Sequence, residues 1–223
     1  NRLSTDKAWL SFIIKYHNSK QLSFQEIDER FLKKLMLTLK VKYSLSETSI
    51  MNILVFVRLL FNRAIKYKIV SRELYPFGGD KIKIKFPETT KVGLNILEIQ
   101  QIENLINLKP SEIHTRNVWL FSFNFAGMRV SDVLRTKWSD IYDNRLHYRM
   151  HKNAKLLSLK IPEKVLKILD QYKDDKRSDD DFVFPELKKA DPENAKDLYN
   201  KRKTATKRFN DNLKSISKKA KIN

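Results

Sequence analysis

Within residues 125–134, Phe-Ala-Gly-Met-Arg-Val-Ser-Asp-Val-Leu, one arginine stands at a tight junction between two apolar helical segments: Arg129, with Asp132 three residues on. A guanidinium presents a planar fork of donors that matches two non-bridging phosphate oxygens. Breaking a phosphodiester by direct displacement builds charge on those oxygens, so an arginine fixed beside them stabilises the transition state. Asp132, one helical turn on, is placed to support the arginine. The same residues also describe an exposed arginine in a helix-opening turn, and spacing alone leaves both readings open.

Few other residues offer chemistry. Asp179-Asp180-Asp181 suggests a metal-dependent nuclease, but three adjacent carboxylates in a polar loop do not converge on one ion, so a solvated loop and no metal site are expected. The histidines His17, His114, His147 and His151 all lack an arginine three residues later. Tyr199 lies in a strongly basic helical stretch, a poor setting for a nucleophile.

Composition narrows the partner. The 223 residues hold 45 Lys+Arg against 26 Asp+Glu, a formal net charge of +19. Residues 1–88 carry 17 basic and 8 acidic side chains and residues 89–223 carry 28 and 18, so the halves stand at +9 and +10. Charge spread over both halves suits a polyanion gripped by the whole molecule, and nucleic acid is the leading class. With 41% hydrophobic residues, 4 Gly and 6 Pro, the chain is expected to fold, as two domains. It has no cysteine, which excludes disulfides and thiolate metal sites and fits a reducing compartment. No charged-then-apolar leader and no apolar run of bilayer-spanning length stand out, so a soluble cytoplasmic protein is expected. A start at Asn1 fits a piece cut from a longer polypeptide.

Periodicity supplies the elements that position Arg129. Ser4 is placed to cap a first helix, Ser23 with Glu26 forms a capping box for a second, and Ser44 with Glu47 for a long third. The third is apolar nearly all round and reads as the centre of a small bundle. Residues 77–94, with Gly78-Gly79 and the alternating Lys81, Lys83 and Lys85, fit an edge strand by alternation and, preferred here, an extended basic linker between domains 1–76 and 95–223. Asn95 with Glu98 caps a helix over 96–108, and Val118 to Phe125 is another, ended by Gly127 in a left-handed conformation. Alternation over 145–161, with a turn at Lys152-Asn153-Ala154-Lys155, predicts a β-hairpin. Pro162 opens a helix, Phe182-Val183-Phe184 reads as a short buried strand, and Ala195 to Lys221 as a basic amphipathic helix.

In this order the elements resemble the tyrosine recombinase (phage integrase) family, especially its mobile-element integrases, over essentially the whole chain. The carriers are Gly127-Met128-Arg129-Val130-Ser131-Asp132-Val133-Leu134 with Lys137-Trp138-Ser139-Asp140-Ile141, and Met150-His151-Lys152-Asn153-Ala154-Lys155 followed by Ile161-Pro162. The first looks like the family's first catalytic arginine motif, the second like its catalytic-lysine hairpin. The resemblance implies a mainly α protein with a small antiparallel β-sheet: an all-α, SAM-like core-binding domain and a truncated α+β catalytic domain.

It also implies roles. Arg129 would stabilise a transesterification, and Lys152 would protonate the leaving 5′-oxygen, with Lys155 as its rival. Thr48 and Ser49 would meet phosphates, and Lys81, Lys83 and Lys85 would track the DNA backbone; Arg58, Arg63 and Lys66 are further candidates, each equally readable as solvated surface. The family's His-x-x-Arg and nucleophilic tyrosine have no counterpart here, so this chain is expected to bind DNA without cleaving it. The intact enzyme would form a 3′-phosphotyrosyl link on double-stranded attachment sites, within a tetrameric synaptic complex, with no metal or nucleotide cofactor because the covalent intermediate conserves bond energy. The rival reading is a non-catalytic DNA-binding module.

Overall fold

Asp28 and Ser46 open the two helices that carry the first core. Each takes extended backbone, and each side chain accepts from an N–H three residues on, Asp28 from Phe31 at 2.7 Å and Ser46 from Ser49 at 3.3 Å. In the computed structural model, which describes residues 2–19, 21–88, 90, 92–150 and 154–222, they start α2 (Glu29–Val41) and α3 (Glu47–Lys66); α1 (Arg2–His17) precedes them. The chain divides into two compact units, residues 1–91 and 92–223.

In the first unit, Leu32, Leu35 and Leu39 of α2 pack with Ile50, Ile53, Leu54, Val57 and Phe61 of α3 and Ile13 of α1. The helix α3 is 20 residues long and contains an 18-residue stretch with a mean hydropathy of 1.4, long and apolar enough to cross a bilayer by composition alone. Its apolar side chains are explained instead by the bundle: eight of its residues, from Ile50 to Ala64, are buried against α1, α2 and the chain that follows. This helix departs from the expectation that no apolar run of bilayer-spanning length stands out.

Two capping signals shift on inspection. The Ser23–Glu26 box forms, with the Ser23 N–H donating to Glu26 at 2.8 Å, yet it opens only a 3-10 turn, Phe24–Glu26, because Asp28 starts α2 independently. Ser44 sits at φ 50, outside the helix, and Ser46 does the capping expected of it. Ser4 lies inside α1 rather than before it.

Residues 77–84, which read as the start of a linker, belong to the first core. Phe77 and Ile82 are buried and bridge one another, and the Phe77 and Tyr75 rings lie 6.5 and 6.2 Å from Phe61. The alternation that resembled a linker strand puts Ile82 and Ile84 inward and Lys83 and Lys85 outward.

The second unit begins with α4 (Ile96–Asn104), whose Asn95–Glu98 capping box is reciprocal at 2.7 and 2.9 Å. Next come α5 (Pro110–Asn124), α6 (Val130–Val133), and strands β1 (Ile141–Tyr142), β2 (Arg145–Arg149) and β3 (Leu156–Lys160), then α7 (Glu163–Asp170) and α8 (Ala195–Lys219). The strands form an antiparallel sheet in the order β1-β2-β3. Asp143 and Asn144, both at positive φ, make the β1–β2 turn. The expected hairpin is β2–β3, and β1 adds a strand too short to show as alternation.

Phe121, Leu134, Leu146, Val165, Phe184 and Phe209 share the main core, so helices, sheet and α8 converge on it. The expected strand at Phe182–Phe184 is not one: only Phe182 bridges, to Lys137, and Val183 donates to the Thr136 carbonyl.

Candidate functional site

The Arg129 corner is assembled from backbone. At the end of α5, Ala126 and Gly127 take left-handed φ values of 55 and 74. Their turn lets the N–H groups of Gly127 and Met128 both donate to the Ser122 carbonyl, at 3.0 and 3.1 Å. The Ser122 hydroxyl then donates to the Met128 carbonyl at 2.6 Å. Nothing lies within 4 Å of where a Cβ on Gly127 would stand, so its backbone angle, not crowding, favours glycine. Arg129 follows with extended backbone as the N-cap of α6, its carbonyl accepting from Asp132 and Val133 at 2.8 and 2.9 Å. Met128 before it is buried, which anchors the corner. The guanidinium itself is exposed, and among the described residues nothing hydrogen-bonds or ion-pairs with it.

Asp132 is buried, and the Ser131 hydroxyl lies 3.5 Å from its carboxylate. The described hydrogen bonds do not join it to Arg129. Its charge instead serves several neighbours. Arg135 is held below the ordinary guanidinium value, first by burial and then by the nearby Arg202 of α8, with Asp132 opposing both. Tyr148, on the inward face of β2, is pushed up by burial and then by Asp132, with Arg129 opposing. The buried Asp132 carboxylate thus acts on both Arg135 and Tyr148, with Arg202 close to the first and Arg129 to the second. Arg135 and Arg202 were missed in the sequence. Arg135 had a signal, three residues beyond Asp132 on the same helical turn; Arg202, far along the chain, had none.

The hairpin that should carry the general acid reaches this corner through Tyr148. Its strands pair through Arg149 opposite Leu156, and Met150 accepts from Ala154 at 2.9 Å. Lys152, with His151 and Asn153, lies outside the described residues; Lys155 is described and exposed.

The DNA-binding candidates of the first unit differ in availability. Thr48 is exposed, whereas Ser49 is half-buried and bonded to the Ser46 hydroxyl at 2.9 Å. Arg58, Arg63 and Lys66 are exposed along α3. Lys81 is already engaged: its ammonium donates to the carbonyls of Tyr75 at 2.8 Å and Glu73 at 3.3 Å. Lys83 and Lys85 are exposed.

The acidic run does not converge. Asp179 pairs with Lys176 at 2.6 Å, Asp180 with Lys137 at 3.4 Å, and buried Asp181 receives a two-pronged contact from Arg177 at 2.8 and 3.0 Å. Arg177 is the main reason the Asp181 carboxyl is held far below the usual carboxylate range.

Residues 1–84 match the phage integrase SAM-like domain and residues 94–223 match the phage integrase family. Among solved structures, a lambda integrase (75-356) dimer bound to a COC′ core site is similar at a TM-score of 0.65 and 14% identity, over 94% of this chain and 71% of that one. A lambda integrase tetramer bound to a Holliday junction aligns at a TM-score of 0.58 and 15% identity, over 91% of this chain and 63% of that one. At those identities the likeness is one of fold. No curated protein sequence matches. With a helical SAM-like unit, a three-stranded sheet and an arginine corner all in the order the family requires, the chain belongs to the phage integrase family of tyrosine recombinases.

Proposed function

We propose that the intact protein is a site-specific DNA recombinase that cuts and rejoins duplex attachment sites through a 3′-phosphotyrosyl intermediate, in a four-protomer assembly. The observation that carries this is the exposed guanidinium of Arg129, which no described residue engages, on a hydrogen-bonded corner. A tyrosine oxygen attacks the phosphorus, the 5′-oxygen leaves, and Arg129 stabilises the charge on the non-bridging oxygens. Lys152 supplies the proton to the 5′-oxygen. Asp132 supports the corner as a shared counter-charge. Thr48, Ser49, Arg58, Arg63, Lys66, Lys83 and Lys85 meet the backbone, and Lys81 orders the segment that presents the last two. The cell compartment in this reading is the cytoplasm.

In this reading none of the four tyrosines of residues 92–223 is the attacking group. In support, Tyr148 and Tyr172 are buried with their hydroxyls pushed up, Tyr142 is stacked on His147, and Tyr199 lies under Arg202. The chain on this reading binds DNA and does not itself attack it.

The test uses a nicked suicide duplex and a salt titration. Binding should fall steeply between about 50 and 200 mM salt, with no protein-linked DNA band. Salt-independent binding would overturn the phosphate-gripping reading, and a covalent band would show a nucleophile within the chain. If a longer polypeptide from the same coding sequence also forms no adduct, the non-catalytic DNA-binding module is the better reading.

A further inference from the structure

The outward face of the sheet has a composition that the cleavage chemistry does not use. On β2, Leu146 and Tyr148 point into the core, so Arg145, His147 and Arg149 point out. Register places Lys160 opposite Arg145 and Ser158 opposite His147. Among the described residues three cations share this face and no carboxylate does; the nearest acid in sequence, Asp143, sits in the β1–β2 turn.

Two of those cations are held in place. Arg145 donates through Nε to the Ser158 hydroxyl and through a terminal nitrogen to the Ser158 carbonyl, both at 2.7 Å. Arg149 donates to the Ala154 carbonyl at 2.8 Å. Four residues apart on one strand, they stand about 13 Å from one another. Each keeps further N–H donors for an anion.

Between them lies an aromatic pair. The rings of Tyr142 and His147 are stacked, centroids 3.8 Å apart and planes within 4°. His147 Nε2 is buried and without a hydrogen-bond partner, so stacking, not hydrogen bonding at that atom, holds the ring. Tyr142 remains 53% exposed, with one face against His147 and the rest open. An open ring face backed by a second ring and flanked by fixed guanidiniums suits a base with its attached phosphates.

We infer that this sheet face is a binding platform for single-stranded DNA: an unpaired base continues the Tyr142–His147 stack, and Arg145, Arg149 and Lys160 neutralise the adjoining phosphates. The ligand is single-stranded because bases inside a duplex already have both faces stacked and offer none to Tyr142. Stacking of this kind tolerates any base, since every base has a π-face. The site needs neither Arg129 nor a nucleophile, so it stands or falls apart from the recombinase reading.

The experiment measures the 223-residue protein binding dye-labelled oligothymidylate and, separately, a duplex of equal length by fluorescence anisotropy. Tyr142→Ala should weaken oligothymidylate binding about tenfold and leave the duplex unchanged, and Tyr142→Trp should restore it. In the Tyr142→Trp protein, tryptophan emission beyond that of wild type should be quenched by oligothymidylate, a readout that survives even if the alanine variant folds poorly. Unchanged oligothymidylate affinity in Tyr142→Ala, equal losses for both ligands, or no quenching in Tyr142→Trp would each overturn the proposal. Equal losses would mark the face as a duplex-backbone contact.

Discussion

The Glu112 carboxylate in the first turn of α5 accepts the ammonium of Lys219, the last residue of α8, at 2.7 Å across 107 positions of sequence. The Lys109 N–H and the Ser215 hydroxyl each donate to the same carboxylate, also at 2.7 Å. Three donors converge on one buried acid, so the end of α8 is tied to the start of α5.

That cluster predicts acid sensitivity. Lys219, then Lys109 and Ser215, lower the Glu112 pKa from 4.5 to about 2. A lowered folded-state value means that the stabilisation is complete above about 4.5 and is lost as pH falls towards about 2. Amide exchange in the last turns of α8 should accelerate over that window, and Glu112→Gln should flatten the dependence. Exchange in Glu112→Gln that keeps the wild-type pH profile would show that another group controls the contact.

The α5–α6 turn predicts two substitutions of opposite sign. Ala126, at φ 55, bears the cost of a side chain in left-handed backbone, and Gly127, at φ 74, avoids it. Ala126→Gly should therefore stabilise the protein and Gly127→Ala destabilise it, each by about 1 kcal/mol. Chemical denaturation checks both, and the reverse order of midpoints would contradict the backbone account.

Lysines of the 81–85 segment should separate into two behaviours. Lys81→Met removes two charge-assisted hydrogen bonds to carbonyls and should lower stability by about 1 kcal/mol. Lys83→Gln and Lys85→Gln should leave the melting temperature unchanged, and each should reduce the slope of log affinity against log salt for duplex DNA by about one. Identical effects from all three would show that engagement of Lys81 is immaterial.

A polar chain through the second core makes a fourth test. The Tyr172 hydroxyl, its pKa pushed up to about 12 chiefly by burial, stays protonated and lies 2.7 Å from His114 Nδ1. On the other side of the ring, His114 Nε2 lies 2.7 Å from the Glu186 carboxylate that Arg208 also meets. Tyr172→Phe strands both His114 Nδ1 and one Asn117 donor and should cost about 1–3 kcal/mol. A stability equal to wild type in urea denaturation would remove the chain from the list of stabilising contacts.

Local signals were legible in sequence, and long-range ones were not. Asn95 and Glu98 cap α4 as their spacing requires, because a capping box involves only neighbours. Gly127 announced the corner that presents Arg129 for the same reason. The 77–84 segment misled because lysines alternating with isoleucines describe both a solvated linker and a strap with one face buried; the difference lies in Phe61, a contact that no local pattern encodes. Strand β1 went unread because two residues cannot show a period. At the site, Arg129 and Asp132 share a turn and could be found together, whereas Arg202 reaches Arg135 only when α8 folds back on α6.

The Ser122 clasp on Met128 has a consequence for time as well as place. With the corner closed by three hydrogen bonds, the backbone already presents Arg129 to an anion, and the motion left for it to use is side-chain rotamer exchange, a picosecond-to-nanosecond process. The entropy lost on engagement is then confined to one side chain, about 2 kcal/mol at most. One residue, Ser122, makes all three of those bonds, two through its carbonyl and one through its hydroxyl.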